Sequence, residues 1–144
     1  TDKHDICAVG TFSDSYFEIG KNSHGSYPEN FVKLDPTEAE LLKYFSNTYN
    51  ATLITLANSF YELSAKIGID YLKIKKALVQ RNHINDSYLD CNENFRGYGG
   101  KCLPKDILAM NSLCKKLGIN IKFFKNIHDE NSKYKVTIFK GMRD

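Results

Sequence analysis

The first forty residues contain two short apolar runs that are separated by polar stretches. These runs are Ile6–Gly10 and Asn30–Leu34, and each predicts a short β-strand. Between them, the pattern predicts a brief helix over residues 13–19 and a polar loop over residues 20–26. The chain is therefore expected to begin with a small α/β segment.

A long amphipathic pattern follows this segment. Asp35 suits the N-cap of a helix, Pro36 suits its first position, and Glu38 completes the spacing of a capping box. Apolar residues then recur at steps of three and four until Gly68, which predicts one helix over residues 36–67. The recurring residues are Leu41, Leu42, Phe45, Tyr49, Leu53, Leu56, Phe60, Leu63 and Ile67. Such a helix is about 48 Å long, so we expect a helix of a second subunit to cover part of its apolar face in a homodimer.

Three shorter helices are predicted in the rest of the chain, over residues 70–80, 104–117 and 121–133. A polar, glycine-containing loop over residues 82–101 separates the first two. The residues expected to pack inward from these two helices are Tyr71, Ile74, Leu78 and Val79, and Ile107, Leu108, Leu113 and Leu117. The whole pattern predicts a mainly helical protein with a small α/β part in front.

The composition is that of one ordinary globular domain. The chain has 144 residues, 42% of them hydrophobic, and 20 Lys and Arg stand against 17 Asp and Glu. This mild positive balance does not indicate nucleic acid binding, and no apolar run is long enough to span a membrane. The start of the chain has no signal-peptide pattern, so we expect a cytoplasmic protein. Its length is small for a complete enzyme with two substrates, so we expect that a part is missing.

The four cysteines show no CxxC pairing. A domain of this length does not need disulfide bonds, so reduced thiols are expected. His4 and Cys7 are possible metal ligands by residue type, but no second ligand pair has a suitable spacing. No metal site is therefore predicted.

The segment GYGGKCLPKD is the strongest candidate for chemistry. It places Cys102 between a glycine-rich bend and the start of a helix, with Pro104 in the first helical turn and Asp106 near the positive helix end. The helix N-terminus, Lys101 and Lys105 would stabilise a thiolate and so favour a nucleophilic cysteine. The alternative interpretation of these residues alone is a glycine turn with a buried cysteine.

A second segment, over residues 38–49, strengthens the interpretation. Together the two segments resemble the UDP-glucose/GDP-mannose dehydrogenase family, in which a similar cysteine loop follows a central helix that carries a lysine and an asparagine four residues apart. The corresponding residues here are Lys43 and Asn47, and the resemblance extends over roughly residues 6–132. On a helix these two side chains lie on the same face, whereas a solvent-facing pair would be the ordinary interpretation without the cysteine loop.

The resemblance implies a mainly α fold. It predicts a central helical dimerisation domain, similar to the C-terminal domain of 6-phosphogluconate dehydrogenase, with one long helix. A small α/β remnant of a Rossmann-like domain would precede it. In these terms, residues 1–34 are the end of a dinucleotide-binding domain, residues 35–134 the central domain, and residues 135–144 the connection to a missing C-terminal domain.

The resemblance also implies an activity, the NAD-dependent oxidation of the C6 alcohol of a UDP-sugar to a carboxylate. Cys102 is then the nucleophile that forms a thiohemiacetal and a thioester. Asp106 and Lys43 assist the movement of water and protons, and Lys43 with Asn47 stabilises charge on oxygen. Since the glycine-rich NAD fingerprint is absent from the sequence, NAD would be bound mainly by a domain outside this chain, and the isolated chain is expected to be inactive.

Further residues are assigned by the same resemblance. Lys105 corresponds to a position near the cofactor, and Tyr98, Gly99 and Leu103 to the sugar-nucleotide pocket. The family often has an Asp-x-Arg-Ile-Gly segment, whose arginine reaches a sugar in the neighbouring subunit, and this chain has no matching arginine. Arg96 or Arg81 is the possible substitute, so the preferred sugar stays open.

Two other functions remain open. The chain could be a dimeric interaction module of the same family that has lost catalysis. It could also be a cysteine hydrolase with His83 or His128 as the base, although neither histidine lies in a recognisable nucleophile-base motif.

Overall fold

The computed structural model describes residues 6–24 and 28–134, and the chain divides into two compact units, Thr1–Phe45 and Ser46–Asp144. The helix that contains the boundary between the units is continuous across it. Within the described residues, no helix combines the length and the apolar character needed to cross a membrane.

The first unit contains a parallel pair of strands joined through a helix. Strands β1 (Ile6–Gly10) and β2 (Asn30–Leu34) pair with Ile6 opposite Asn30, and helix α1 (Asp14–Ser23) connects them. Both predicted strands are confirmed. The predicted loop over residues 20–26 is wrong for residues 20–23, which continue the helix, while residues 25–26 lie outside the described part.

Close packing against β1 explains why α1 continues through a glycine. A Cβ atom added at Gly20 would lie 3.3 Å from Cγ1 of Val9, which is tighter than ordinary contact. Glycine is unfavourable inside helices when propensity is considered alone. Here the missing side chain lets the helix approach the strand, so tertiary packing outweighs propensity.

Helix α2 (Pro36–Lys66) is the single long helix that the pattern predicts. Its start is a capping box, in which the backbone N–H of Glu38 donates to Asp35 Oδ1 at 2.8 Å and the N–H of Asp35 donates to Glu38 Oε2 at 2.9 Å. Its end is closed by Gly68 at φ +73°, and the N–H of Ile69 donates to the carbonyl of Ser64 at 2.8 Å. Both ends of α2 are therefore fixed by local sequence.

Three further helices lie in the described part of the second unit. They are α3 (Tyr71–Leu78), α4 (Cys102–Lys116) and α5 (Phe123–Asn131). Helix α4 begins two residues before the predicted position, so Pro104 lies in its first turn, where a missing backbone N–H removes no helical hydrogen bond. The mainly α fold, with one long helix and a small α/β part in front, is confirmed.

Two faces of α2 differ in composition. The inward face consists of residues that are buried within the chain, namely Thr48, Ala51, Ile54, Thr55, Ala57, Asn58 and Ser64. The outward stripe consists of large apolar residues that are exposed, namely Leu41, Phe45, Tyr49, Leu56, Phe60, Leu63 and Ile67. Most of the apolar residues that predict the helix therefore lie outside the core of the chain.

The core of the second unit is formed by two clusters. The first contains Ala51, Ile54, Tyr98, Ile107 and Ile127, and the second contains Ala57, Tyr71, Leu89 and Cys91. Both clusters combine one side of α2 with residues from the loop before α4. The loop before α4 therefore contributes side chains to the core.

Several predicted inner-face residues are exposed instead. These are Ile74 and Leu78 of α3, Leu108 and Leu113 of α4, and Leu117 directly after α4. The buried residues of α3 are Tyr71 and Lys75, and Lys75 is buried because its ammonium pairs with Asp86 at 2.6 Å and also with Asp90. Burial alone would lower the pKa of Lys75, but its hydrogen bonds to these two carboxylates outweigh burial and raise it. The inward side of α3 therefore combines the core residue Tyr71 with a lysine that is paired with two carboxylates.

Candidate active site

Cys102 is the first residue of α4 and its side chain is exposed. The loop before it contains Gly97 at φ +63° and Gly100 at φ +74°, which are values that side chains other than glycine rarely adopt. The backbone N–H groups of a first helical turn have no partners inside the helix, so this position favours negative charge. The thiol is therefore accessible at an electropositive helix end.

Asp106 lies one turn further along α4 and is fully buried, at 0% exposure. Its Oδ2 accepts a hydrogen bond from Nδ2 of Asn47 at 2.6 Å. Asn47 belongs to α2, 59 residues earlier in the chain. The structure thus brings together one residue from each of the two segments that carry the family resemblance.

The second oxygen of Asp106 faces a lysine. Lys105 Nζ lies 3.3 Å from Asp106 Oδ1, which is an ion-pair distance, while Oδ1 has no partner in hydrogen-bonding geometry among the described residues. The Lys105 side chain is 64% exposed. One carboxylate therefore has the partly buried amide of Asn47 on one side and the exposed ammonium of Lys105 on the other.

Lys43 lies in the first unit, one helical turn before Asn47 in α2. Its side chain is half exposed, and Nζ lies 3.6 Å from Oε1 of Glu40. Lys43 also lines a cleft of about 460 Å³ within the first unit, together with Ile6, Ala8, Gly10, Pro36, Ala39, Glu40 and Leu42. The ammonium is thus available at the surface of its unit.

Arg96 makes extensive contacts inside the second unit. Its Nε donates to Oδ1 of Asn58 at 2.7 Å, and its guanidinium also pairs with Glu62. The guanidinium carbon lies 4.8 Å from the ring centre of Tyr61 and 5.0 Å from that of Tyr134. Because the side chain is only 14% exposed, these contacts describe an arginine that anchors the loop. They give no support to the predicted role of Arg96 as a substitute for the sugar-binding arginine, whereas Arg81 is exposed.

The remaining predicted substrate residues lie in the loop before α4, which we call the cysteine loop (residues 97–101), or at the start of α4. The ring of Tyr98 is in the first core cluster at 1% exposure, and burial raises the pKa of its hydroxyl to about 12. Any contact of Tyr98 with a ligand would therefore have to come from its main chain. Gly99 is half-buried, and Leu103 is partly buried against the same cluster.

Two asparagines that the sequence interpretation did not single out hold this loop. Asn58 Oδ1 accepts the backbone N–H of Gly97 at 3.1 Å, and Asn131 Oδ1 accepts that of Tyr98 at 2.8 Å. Asn58 could have been noticed, since an asparagine at a core-facing helical position is unfavourable unless its amide has partners. Asn131, at the end of a weakly patterned helix, carries no comparable signal.

The structure gives little support to a histidine base or a metal. His83 is exposed, and His128 Nδ1 is buried without a hydrogen-bond partner among the described residues. In residues 6–24 and 28–134, no three His, Cys, Asp or Glu side chains are grouped in a way that could hold a metal ion. His4 lies outside these residues. Cys7, Cys91, Cys102 and Cys114 are all free thiols.

Comparisons with known proteins identify the family of this chain. The family model described as UDP-glucose/GDP-mannose dehydrogenase family, central domain, matches residues 37–133. The UDP-glucose 6-dehydrogenase of Rickettsia bellii is 37% identical over 100 residues, which cover 69% of this chain and 22% of that protein. The UDP-glucose 6-dehydrogenase TuaD of Bacillus subtilis is 26% identical over 90% of this chain and 28% of its own length.

A solved structure gives the same result. The UDP-glucose dehydrogenase from the hyperthermophilic archaeon Pyrobaculum islandicum superposes with a TM-score of 0.80 at 26% identity, over 91% of this chain and 30% of that one. This chain therefore spans between about a fifth and a third of the length of these relatives. On the strength of the family match over residues 37–133, the chain belongs to the UDP-glucose/GDP-mannose dehydrogenase family and contains its central domain.

Proposed function

We propose that this chain is the central part of an NAD-dependent nucleotide-sugar 6-dehydrogenase that oxidises the C6 alcohol of a UDP-sugar to a carboxylate. The observation that carries the proposal is the 2.6 Å hydrogen bond between Asn47 and Asp106. It joins the two segments of the family resemblance within one turn of the exposed thiol of Cys102. This combination of nucleophile, carboxylate and amide suits covalent catalysis at a carbonyl carbon.

In the proposed reaction, Cys102 acts at the aldehyde stage. Its thiolate sulfur forms a bond to the C6 carbon, and the resulting oxyanion takes up a proton to give a thiohemiacetal. Loss of that proton and of a hydride from C6 leaves a thioester on Cys102. Water then adds to the thioester carbon and the carbon–sulfur bond breaks, which releases the carboxylate and returns the thiol.

Asp106, Asn47 and Lys43 would support these steps. An asparagine amide has two N–H donors, and Asp106 occupies one, so the other can stabilise the oxyanion. Asp106 fixes the orientation of this amide and can accept a proton from the attacking water. By the family resemblance, Lys43 would supply positive charge during these steps.

NAD, when bound, supplies the acceptor for the hydride at both oxidation stages. The residues of this chain fit a secondary contact with it, since the exposed ammonium of Lys105 can reach an anionic group. No G-x-G-x-x-G segment occurs in the sequence. We therefore place most of the NAD contacts in a part of the protein outside these residues, and we expect little NAD reduction by the 144-residue chain alone.

The outward stripe of α2 supports a homodimer. Within the second unit, its residues Tyr49, Leu56, Phe60, Leu63 and Ile67 follow one another at steps of seven, four, three and four, so they lie on one side of the helix, and exposed apolar bands of this kind are typical of protein interfaces. In this proposal, residues 35–134 are the dimerising central domain and residues 1–34 end the dinucleotide-binding domain. The stripe alone would also suit the second candidate, an interaction module without catalysis.

A chimera can test the catalytic proposal. Residues 37–133 of this chain would replace the corresponding segment of the Rickettsia bellii relative, and NADH formation with UDP-glucose would be measured. We expect turnover that Cys102→Ala lowers by several orders of magnitude, as is typical when a catalytic nucleophile is removed.

Cys114→Ala is the matched control, because Cys114 is a buried thiol of the same helix. It should retain most of the activity. A chimera whose carboxylate production survives Cys102→Ala would contradict the proposal, and a dimeric chimera that binds no sugar nucleotide would favour the interaction module.

A further inference from the structure

Two buried amides attach the cysteine loop to the helices around it. They belong to Asn58 on α2 and Asn131 at the end of α5, and both are at least nine-tenths buried. We refer to Asn58 and Asn131 together as the amide clamp. None of the steps proposed for catalysis uses either residue.

Asn58 gathers several donors on one oxygen. Its Oδ1 accepts the N–H of Gly97 at 3.1 Å, Nε of Arg96 at 2.7 Å and the thiol of Cys91 at 3.4 Å. Its Nδ2 donates to the carbonyl of Ile54 in its own helix at 2.8 Å, which fixes the orientation of the amide. The oxygen is therefore held in place on α2 and directed at the loop.

Asn131 binds the next residue in both directions. Its Oδ1 accepts the N–H of Tyr98 at 2.8 Å, and its Nδ2 donates to the carbonyl of Tyr98 at 2.9 Å. A side-chain amide is one of the few groups that can satisfy a backbone donor and acceptor at once. This pairing holds the backbone of Tyr98 much as a neighbouring strand would.

The two clamp asparagines bind backbone groups that are much farther away in the sequence than those bound by Asn85 and Asn92. Asn85 and Asn92 accept N–H groups only two residues away, at exposed turns. Asn58 and Asn131 bind backbone that is 39 and 33 residues away, at a buried site. The first kind shapes a turn locally, whereas the second fixes where a segment lies.

The clamped backbone is close to the thiol. Gly97 and Tyr98 are followed by two glycines and Lys101, after which Cys102 begins α4. Glycines have more backbone freedom than other residues. Without attachment at its start, a segment with glycines at positions 97, 99 and 100 would leave the first turn of α4 poorly fixed.

We propose that Asn58 and Asn131 are positioning residues that hold the loop before Cys102 in the geometry that its chemistry requires. This inference rests on the proposed function, since it assigns the clamp a role through the catalytic thiol. The clamp is expected to act on the loop selectively, beyond its contribution to the stability of the fold.

Amide hydrogen exchange of the full chain tests the proposal. In Asn131→Leu, we expect the amides of residues 97–101 to exchange about tenfold faster, as the loss of a buried hydrogen bond predicts. Peptides from the middle of α2 should keep their exchange rates. Asn131→Asp should give an intermediate rate, because its carboxylate still accepts the N–H of Tyr98 but has no donor for the carbonyl.

The control variant is Tyr71→Phe, which removes one buried hydrogen bond, to the carbonyl of Leu89 at 2.8 Å, in the other core cluster. It should leave exchange at residues 97–101 unchanged. If Asn131→Leu does not fold, Asn131→Asp carries the test, since it keeps the acceptor for the N–H of Tyr98 and removes only the donor to the carbonyl of Tyr98.

Two results would overturn the positioning role. One is unchanged exchange in the loop, and the other is a uniform increase across all core peptides, which a purely stabilising residue would cause through global unfolding. Exchange is measured without NAD or sugar. Suppose that Asn131→Leu speeds exchange only in the loop, but that Cys102→Ala leaves the activity of the chimera unchanged. The amide clamp would then be supported and the dehydrogenase mechanism rejected, so the two failures are distinguishable.

Discussion

The inward face and the outward stripe of α2 are two sides of one helix with opposite compositions. The inward face is built from small and polar residues such as Ala51, Ala57 and Asn58, yet it is the side that the chain itself buries. The outward stripe carries Leu56, Phe60 and similar residues, yet it is exposed. In this helix, size and hydrogen bonding decide which side the rest of the chain covers, because small residues admit the backbone of the cysteine loop and Asn58 binds it.

The comparison implies that equal losses of apolar volume should have unequal effects on the two sides. Ile54→Ala removes a buried side chain of the first cluster and should lower the free energy of unfolding by about 2–4 kcal/mol. Leu56→Ala removes an exposed one and should cost less than about 1 kcal/mol in the monomer. Urea unfolding at low protein concentration measures both, and equal losses would mean that the two sides do not differ as described.

A charge on the outward stripe should instead act on association. Phe60→Glu is expected to leave the fold of the monomer intact, because the ring is exposed, and to weaken dimerisation by about 2 kcal/mol or more. Sedimentation velocity across a range of concentrations gives the dimer dissociation constant. Glu62→Gln, on the same helix but in the Arg96 pair, is a control that should leave association unchanged. A chain that is monomeric at every concentration would remove the proposed role of the stripe.

How much of this follows from the sequence depends on the distance between interacting residues. Caps are local, so Asp35 with Glu38 and the glycine at position 68 predict the ends of α2 correctly. The direction in which a helix faces depends on distant partners. Lys75 lies one helical turn after the buried Tyr71, but nothing in α3 indicates that Asp86 and Asp90 pair with its ammonium.

The candidate site follows the same rule. The segment around Cys102 is recognisable from its residue types, and the structure adds the contact between Asn47 and Asp106, which lie 59 residues apart. The contacts of Asn131 with the loop were not predictable, because polar residues dilute the hydrophobic periodicity of α5 and the loop has no such periodicity. The residue types of a catalytic motif can be read from a short segment, whereas the residues that position the motif are distant in the sequence.

Removing the carboxylate of Asp106, which packs against α2 through Asn47, should affect both the stability of the fold and the geometry of the site. Asp106→Ala leaves Nδ2 of Asn47 without its partner and should lower the free energy of unfolding by about 1–3 kcal/mol. Asp106→Asn keeps the shape and an oxygen acceptor and should cost less. Urea unfolding of both variants checks this order, and an equal cost for the two would show that the hydrogen bond from Asn47 adds no measurable stability.

The smallest expected effect concerns two buried tyrosines, one in each core cluster. Tyr98 Oη has no hydrogen-bond partner among the described residues, whereas the hydroxyl of Tyr71 donates to the carbonyl of Leu89. At pH 8, Tyr98→Phe should therefore be neutral or stabilising by less than about 1 kcal/mol, while Tyr71→Phe should cost about 1 kcal/mol. Urea unfolding of the two variants beside the original chain measures this difference.

The same pair has a pH dependence with a defined sign. Burial raises the pKa of Tyr98 to about 12, and burial is also the main reason why the pKa of Tyr71 is raised to about 12. An unfolded tyrosine titrates near a pKa of about 10, so the folded chain holds these protons longer. Because of this difference in pKa, the folded state keeps its full stability below about pH 10 and loses part of it as the pH rises toward about 12. Tyr98→Phe should therefore lose less stability than the original chain between pH 8 and about pH 11, and an identical loss in both would mean that Tyr98 ionises in the core as easily as in water.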